Sequence, residues 1–122
     1  MNDFQAVAET YIATWNETDA DQRAALLDRS WSADARYVDP LVAVTGRQDL
    51  SAAIGAVQQQ FPGWRFRLAG PVDGHHNVAR FGWELGPDGD GPAPVAGFDV
   101  ATLTEDGRVA AVHGFLDRVP SA

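Results

Sequence analysis

The spacing of hydrophobic residues changes from a period of 3.6 to a period of 2 near "FPGW" (61–64). That change constrains the fold more than any other feature. Upstream, Phe4, Val7, Ala8, Tyr11, Ile12 and Trp15 fall at i, i+3, i+4, i+7, i+8 and i+11, one stripe of an α-helix. "NETD" ends this helix, and Thr18 or Asp19 is placed to cap a second, "ADQRAALLDRSW" (20–31). On it Leu27 and Trp31 lie four residues apart. A third helix starts at Thr45 or Gly46, with Leu50, Ala53, Ile54, Val57 and Phe61 as its apolar face. Proline and glycine in "FPGW" stop it.

Downstream the chain alternates. "WRFRLAG", "NVARFGWEL", "VAGFDVATLT" and "RVAAVHGFLD" read as half-buried strands. "GPDGDGPAP" reads as a hairpin loop, and "EDG" (105–107) joins the last two strands in a tight turn. The order is helix, helix, short strand, helix, then a meander of four strands. Helices gathered on one face of an antiparallel sheet make a single α+β domain over residues 1–122. Phe81 and Trp83 share one side of their strand. They are expected on the outer face of the sheet, where aromatic surface suits a homodimer interface.

Composition excludes several classes. With 9 Lys+Arg against 17 Asp+Glu, the net charge of −8 makes nucleic acid or an anionic membrane a poor partner. The absence of cysteine removes disulfides, thiolate catalysis and cysteine zinc sites. The opening residues "MNDFQAVAET" lack a basic segment before an apolar run, so they are not expected to be a signal peptide, and a cytoplasmic location is the expectation. No P-loop or G-x-G-x-x-G is present. "GPDGDGP" lacks calcium-loop spacing, and the adjacent His75 and His76 cannot face one metal from a strand, so neither a metal nor a cofactor is expected.

"ETYIATWNETD", "YVDP" (37–40) and "GFDVATLTEDGRV" carry a resemblance over nearly the whole chain. They resemble the nuclear transport factor 2-like superfamily, and within it the SnoaL-like proteins and ketosteroid isomerase. The resemblance implies a curved sheet wrapped around three helices into a cone with a pocket. It also implies roles for three residues. Asp39 of "YVDP" matches the isomerase's general base, Tyr11 of "YIATWN" its catalytic tyrosine, and Asp99 of "GFDVAT" its neutral, hydrogen-bond-donating acid. A keto-to-enol proton shift needs such a base and such donors.

Each residue also has a plainer reading. Asp-Pro commonly starts a turn. Tyr11 lies on a core face, while Asp99 sits mid-strand, where aspartate is disfavoured. The expected pocket lining is Trp15, Trp31, Phe61, Trp64, Arg80 and Gly114. Arg80 stands where an apolar residue is expected. It either enters the pocket, to pair with Asp99 or Asp39 or to bind a substrate carboxylate, or lies outside in a salt bridge. Paired with Asp99, it resembles the Asp–Arg arrangement of limonene epoxide hydrolase. Strand register decides His113. A three-residue "EDG" loop sets Asp99 opposite His113, whereas a two-residue "DG" turn sets it opposite Gly114. The function expected is an acid–base isomerase, cyclase or lyase of a small carbonyl compound. The alternatives are a non-catalytic binding protein and an epoxide hydrolase.

Overall fold

The computed structural model describes residues 3–88 and 91–120; Gly89 and Asp90 of the expected hairpin loop lie outside the described residues. Helices α1 (Phe4–Asn16) and α2 (Ala20–Ser30) lead into strands β1 (Trp31–Val38) and β2 (Ala43–Thr45). Helix α3 (Arg47–Gln60) and strands β3 (Arg65–His75), β4 (Val78–Gly86), β5 (Val95–Leu103) and β6 (Val109–Arg118) follow. The strands form one curved, unclosed sheet in the order β2-β1-β6-β5-β4-β3. This is the expected α+β architecture of three helices and a curved sheet. One ladder departs from the antiparallel pattern: β1 runs parallel to β6.

The helix starts follow their caps. The Asp3 side chain accepts from Ala6 N, and Asp19 accepts from Asp21 N and Gln22 N. Gly46 precedes α3 with φ +93°, a conformation glycine adopts without strain. Arg23 ties the three helices together. Its buried guanidinium donates to Ser51 Oγ on α3, to Glu17 O at the end of α1 and to Gln58 Oε1. Asn16 docks the end of α1 on β3, donating to Phe66 O at 2.9 Å and accepting from Phe66 N at 2.7 Å.

Two expectations about strands are corrected. Trp31 does not lie on α2. That helix stops at Ser30, and Trp31 opens β1 opposite Val109. The Arg47 guanidinium holds the Trp31 carbonyl, so tertiary partners override the helix propensity of the alanine-rich segment. Phe81 and Trp83 do not lie on the outer face. Both are buried on the inner face, with Phe81 against Tyr11 at 5.1 Å and Trp83 against Phe66 at 5.4 Å between ring centroids.

The turn at "EDG" gives the pairing that the isomerase resemblance favours, Asp99 opposite Gly114 with His113 outside, but by a longer loop than the two-residue turn expected with it. The loop has three residues: Thr104 N donates to Arg108 O, and Gly107 takes φ +83°. One extra residue, Ala110, is then left between the Leu103–Val109 and Thr102–Ala111 pairs. This bulge restores the other register, with Asp99 opposite Gly114 and His113 opposite Val100. His113 is exposed on the outer face.

Candidate functional site

α1, β1, the turn that follows β1, and β5 bring four oxygen-bearing side chains to one cavity of about 230 Å³ between the helices and the sheet. Tyr11, Tyr37, Asp39 and Asp99 all line it. The remaining wall is almost wholly apolar and includes Ile12, Trp15, Phe61, Phe66, Trp83 and Leu85. The mouth is apolar too. Leu41 and Val119 line it while standing 75% and 58% exposed.

Tyr11 and Asp99 form the deep pair. The Tyr11 hydroxyl donates to Asp99 Oδ2 at 2.6 Å, and both residues are buried. Burial pushes the Asp99 carboxyl up from 3.8 to about 6. The hydrogen bond from Tyr11 opposes that rise. The Trp83 indole N–H faces the same carboxyl and pulls it down as well, although its geometry falls short of a hydrogen bond. Among the described residues Asp99 Oδ1 has no hydrogen-bond partner. The Tyr11 hydroxyl is pushed well above its ordinary range, by burial first and then by the charge of Asp99.

Tyr37 and Asp39 form the outer pair. The Tyr37 hydroxyl donates to Asp39 Oδ2 at 2.7 Å. Asp39 Oδ1 accepts from Leu41 N and Val42 N at 2.8 and 2.9 Å, and Asp39 N donates to Val42 O. The aspartate therefore starts the turn of "YVDP" and forms part of the cavity wall at once. Burial, the charge of Asp99 and the bond to Asp39 all raise the Tyr37 hydroxyl above its ordinary range. Gly114 sits between the two pairs. A Cβ there would lie 2.7 Å from Asp99 Oδ1 and 3.4 Å from Asp39 Cβ, so glycine keeps the carboxyls open to a shared space.

Of the expected site residues, Tyr11, Asp39, Asp99, Trp15 and Phe61 line the cavity, and Gly114 adjoins it. Three do not. Trp31 stacks behind Tyr11 at 5.9 Å, fully buried, and Trp64 stacks on Phe61 at 4.8 Å outside this cavity. Arg80 pairs across the ladder with Asp73 and Val100 and points outward. Its Nε lies 3.4 Å from the Asp73 carboxylate, and both side chains are exposed. With Phe81 turned inward, strand alternation sends Arg80 out. The Asp99–Arg80 arrangement is therefore absent, and Asp99 is partnered by Tyr11 instead. His75 and His76 lie at the far end of β3, away from the cavity lining. Among the described residues no cluster of His, Cys, Asp or Glu could hold a metal ion.

Tyr37 is the residue that sequence reasoning missed. It lies two positions before Asp39, hence on the same side of an extended segment.

The family model for the SnoaL-like domain matches residues 8–112. The chain belongs to the SnoaL-like family. This SnoaL-like chain is 46% identical to a family member from Agrobacterium tumefaciens, proposed to be an isomerase, whose crystal structure is similar. The match covers 93% of this chain and 97% of that one, with a TM-score of 0.88. A SnoaL-like protein from Jannaschia, proposed as a polyketide cyclase, shares the fold at 18% identity and TM-score 0.71, covering 96% of this chain and 90% of that one. So does a proposed polyketide cyclase from Sinorhizobium meliloti, at 15% identity, 89% and 93% coverage and TM-score 0.70. No curated protein matches. No described helix of the SnoaL-like chain is long and apolar enough to cross a membrane.

Proposed function

We propose that the cavity binds a small, largely apolar carbonyl compound and moves a proton next to its carbonyl, as an isomerase or cyclase does. The observation that carries this reading is the meeting of Asp39 with the Tyr11–Asp99 pair at one apolar cavity. Asp39 takes the proton from the carbon between carbonyl and alkene of a β,γ-unsaturated ketone. The electron pair moves onto the carbonyl oxygen as a dienolate. Asp39 returns the same proton to the γ-carbon, which leaves the conjugated ketone, so no other reactant is needed. The developing oxyanion accepts from Asp99 Oδ1, while Asp99 Oδ2 accepts from the Tyr11 hydroxyl, so Tyr11 acts through Asp99. Asp99 donates only when neutral, a form its pKa of about 6 makes accessible near neutrality.

Conversion of cyclohex-3-en-1-one to cyclohex-2-en-1-one, followed by the absorbance of the conjugated product, tests the reading. The expected result is turnover above the buffer rate that heat-unfolded protein does not give. Binding of the ketone without turnover would instead make this a non-catalytic pocket. A homodimer through the outer sheet face belongs to the same proposal. The partly exposed Phe98 and Phe115, opposite one another there, support it in place of Phe81 and Trp83. Sedimentation velocity checks it, with twice the chain mass expected.

A further inference from the structure

Arg23 carries a charge that no neighbouring carboxylate balances. The residue is 6% exposed, and neutral oxygens hold its guanidinium. Ser51 Oγ accepts from Nε at 2.9 Å, and Glu17 O and Gln58 Oε1 accept from Nη1 at 2.8 and 3.1 Å. As the C-cap of α1, Glu17 offers only the partial negative charge of a helix terminus. Among the described residues no carboxylate forms an ion pair with Arg23, and Nη2 has no hydrogen-bond partner. A buried charge ordinarily has an opposite charge beside it.

Arg23 Nη2 opens onto a groove of about 640 Å³ between α2 and α3. It is not among the unpaired atoms sealed from solvent, which include the indole nitrogens of Trp15 and Trp31. It lies against Gly55, where a Cβ would come within 3.3 Å of it, and both residues line the groove. Gly55 stands in the interior of α3, where glycine weakens a helix relative to alanine. The missing side chain leaves room beside Nη2. The rigid fork of a guanidinium sets one Nη2–H parallel to Nε–H. Ser51 Oγ occupies Nε–H, so an acceptor on Nη2 lies beside the Ser51 hydroxyl. That hydroxyl's own proton has no acceptor among the described residues and can turn to the same spot. Of the described residues that line the groove only Asp28 is acidic, and Arg47 engages it at 3.5 Å. Gln48 and Gln59, exposed on the same face of α3, add amide donors at the rim.

We infer that the groove between α2 and α3 binds an oxyanion, a carboxylate or a phosphate, on Arg23 Nη2 and Ser51 Oγ. The ligand brings the negative charge that Arg23 lacks, and a charged N–H bonds an oxyanion more strongly than it bonds a neutral oxygen. Neither residue lines the cavity of the proposed reaction, so the two readings stand or fall separately.

Nitrogen–proton correlation spectra of the intact chain test it. Sodium acetate and sodium phosphate are titrated separately at fixed pH and ionic strength, with sodium chloride as the reference. The Arg23 Nε–H and Gly55 amide signals are expected to shift saturably, with a Kd on the order of 1 mM. Saturation by acetate alone assigns a carboxylate, by phosphate alone a phosphate, and by both a general oxyanion site. No saturable shift with either overturns the inference. Arg23 holds the three helices together, so the variant leaves it in place. Gly55→Ala fills the space beside Nη2 and suits a helix interior, so the fold is retained. It is expected to weaken binding at least roughly fivefold. Arg80→Gln, which removes an exposed guanidinium on the outer face of the sheet, is expected to keep the wild-type affinity. Unchanged binding in Gly55→Ala, or an equal loss in Arg80→Gln, would also overturn it.

Discussion

Asp39→Asn is expected to lower kcat for cyclohex-3-en-1-one by roughly 10²–10⁴-fold, the usual contribution of a positioned general base. An amide cannot accept the proton. The turn survives the change, because the asparagine carbonyl still accepts from Leu41 N and Val42 N, and asparagine suits such turns. The amide nitrogen then faces the Tyr37 hydroxyl in place of Asp39 Oδ2. Tyr37 can rotate its proton away and accept, so the packing of the mouth holds. KM is therefore expected to stay near the wild-type value while kcat falls. That split separates loss of the base from loss of the pocket. A kcat within a few-fold of wild type would return Asp39 to its plain role as the start of a turn.

Asp99→Asn is expected to stabilise the protein relative to wild type as the pH rises. Asp99 is 2% exposed, and burial raises its pKa from 3.8 to about 6. A carboxyl raised in the folded state prefers to be neutral there. Below about pH 3.8 both the folded and unfolded chains hold the proton, and no penalty exists. Between 3.8 and 6 the unfolded chain ionises while the folded one resists, so stability falls with rising pH. Above 6 both are ionised and the full penalty, about 3 kcal/mol, is present. Asparagine carries no such proton and can still accept from the Tyr11 hydroxyl. The difference in unfolding free energy between variant and wild type should grow by about 2 kcal/mol from about pH 4.5 to about pH 7.5. Urea unfolding at the two pH values measures it. Parallel pH profiles would show that Asp99 is not held neutral by burial.

The plain turn reading and the pocket reading of Asp39 proved compatible. One carboxylate oxygen serves the backbone amides of Leu41 and Val42, and the other meets Tyr37. Tyr37 escaped notice because its role follows from residues 31–38 being a strand. A short strand is expected between the second and third helices, but the alanines of "SADAR" do not show that it begins at Trp31. Once the strand is known, Tyr37 and Asp39 fall on the same side.

Local pattern by itself determined the three helices, the capping at Asp19, the breaks at "FPGW" and "EDG", and the pairing of Tyr11 with Trp15 on one helical face. These follow from periods and caps, which depend on neighbours in the chain. The motif phrases placed Tyr11, Asp39 and Asp99 on elements that meet. Which way each strand faces was decided only by the tertiary structure. The sheet has a period of 2, so a single extra residue reverses every side chain beyond it. Ala110 is such a residue. It aligns Asp99 with Gly114 and turns His113 outward despite the three-residue loop. The pairing of β4 with β3 and β5 likewise sends Phe81 and Trp83 inward and Arg80 outward to Asp73. Trp31 became the first residue of β1 because Val109 and Arg47, distant in sequence, supply its partners. Contacts of that range lie beyond any local pattern, and they decide what the cavity contains.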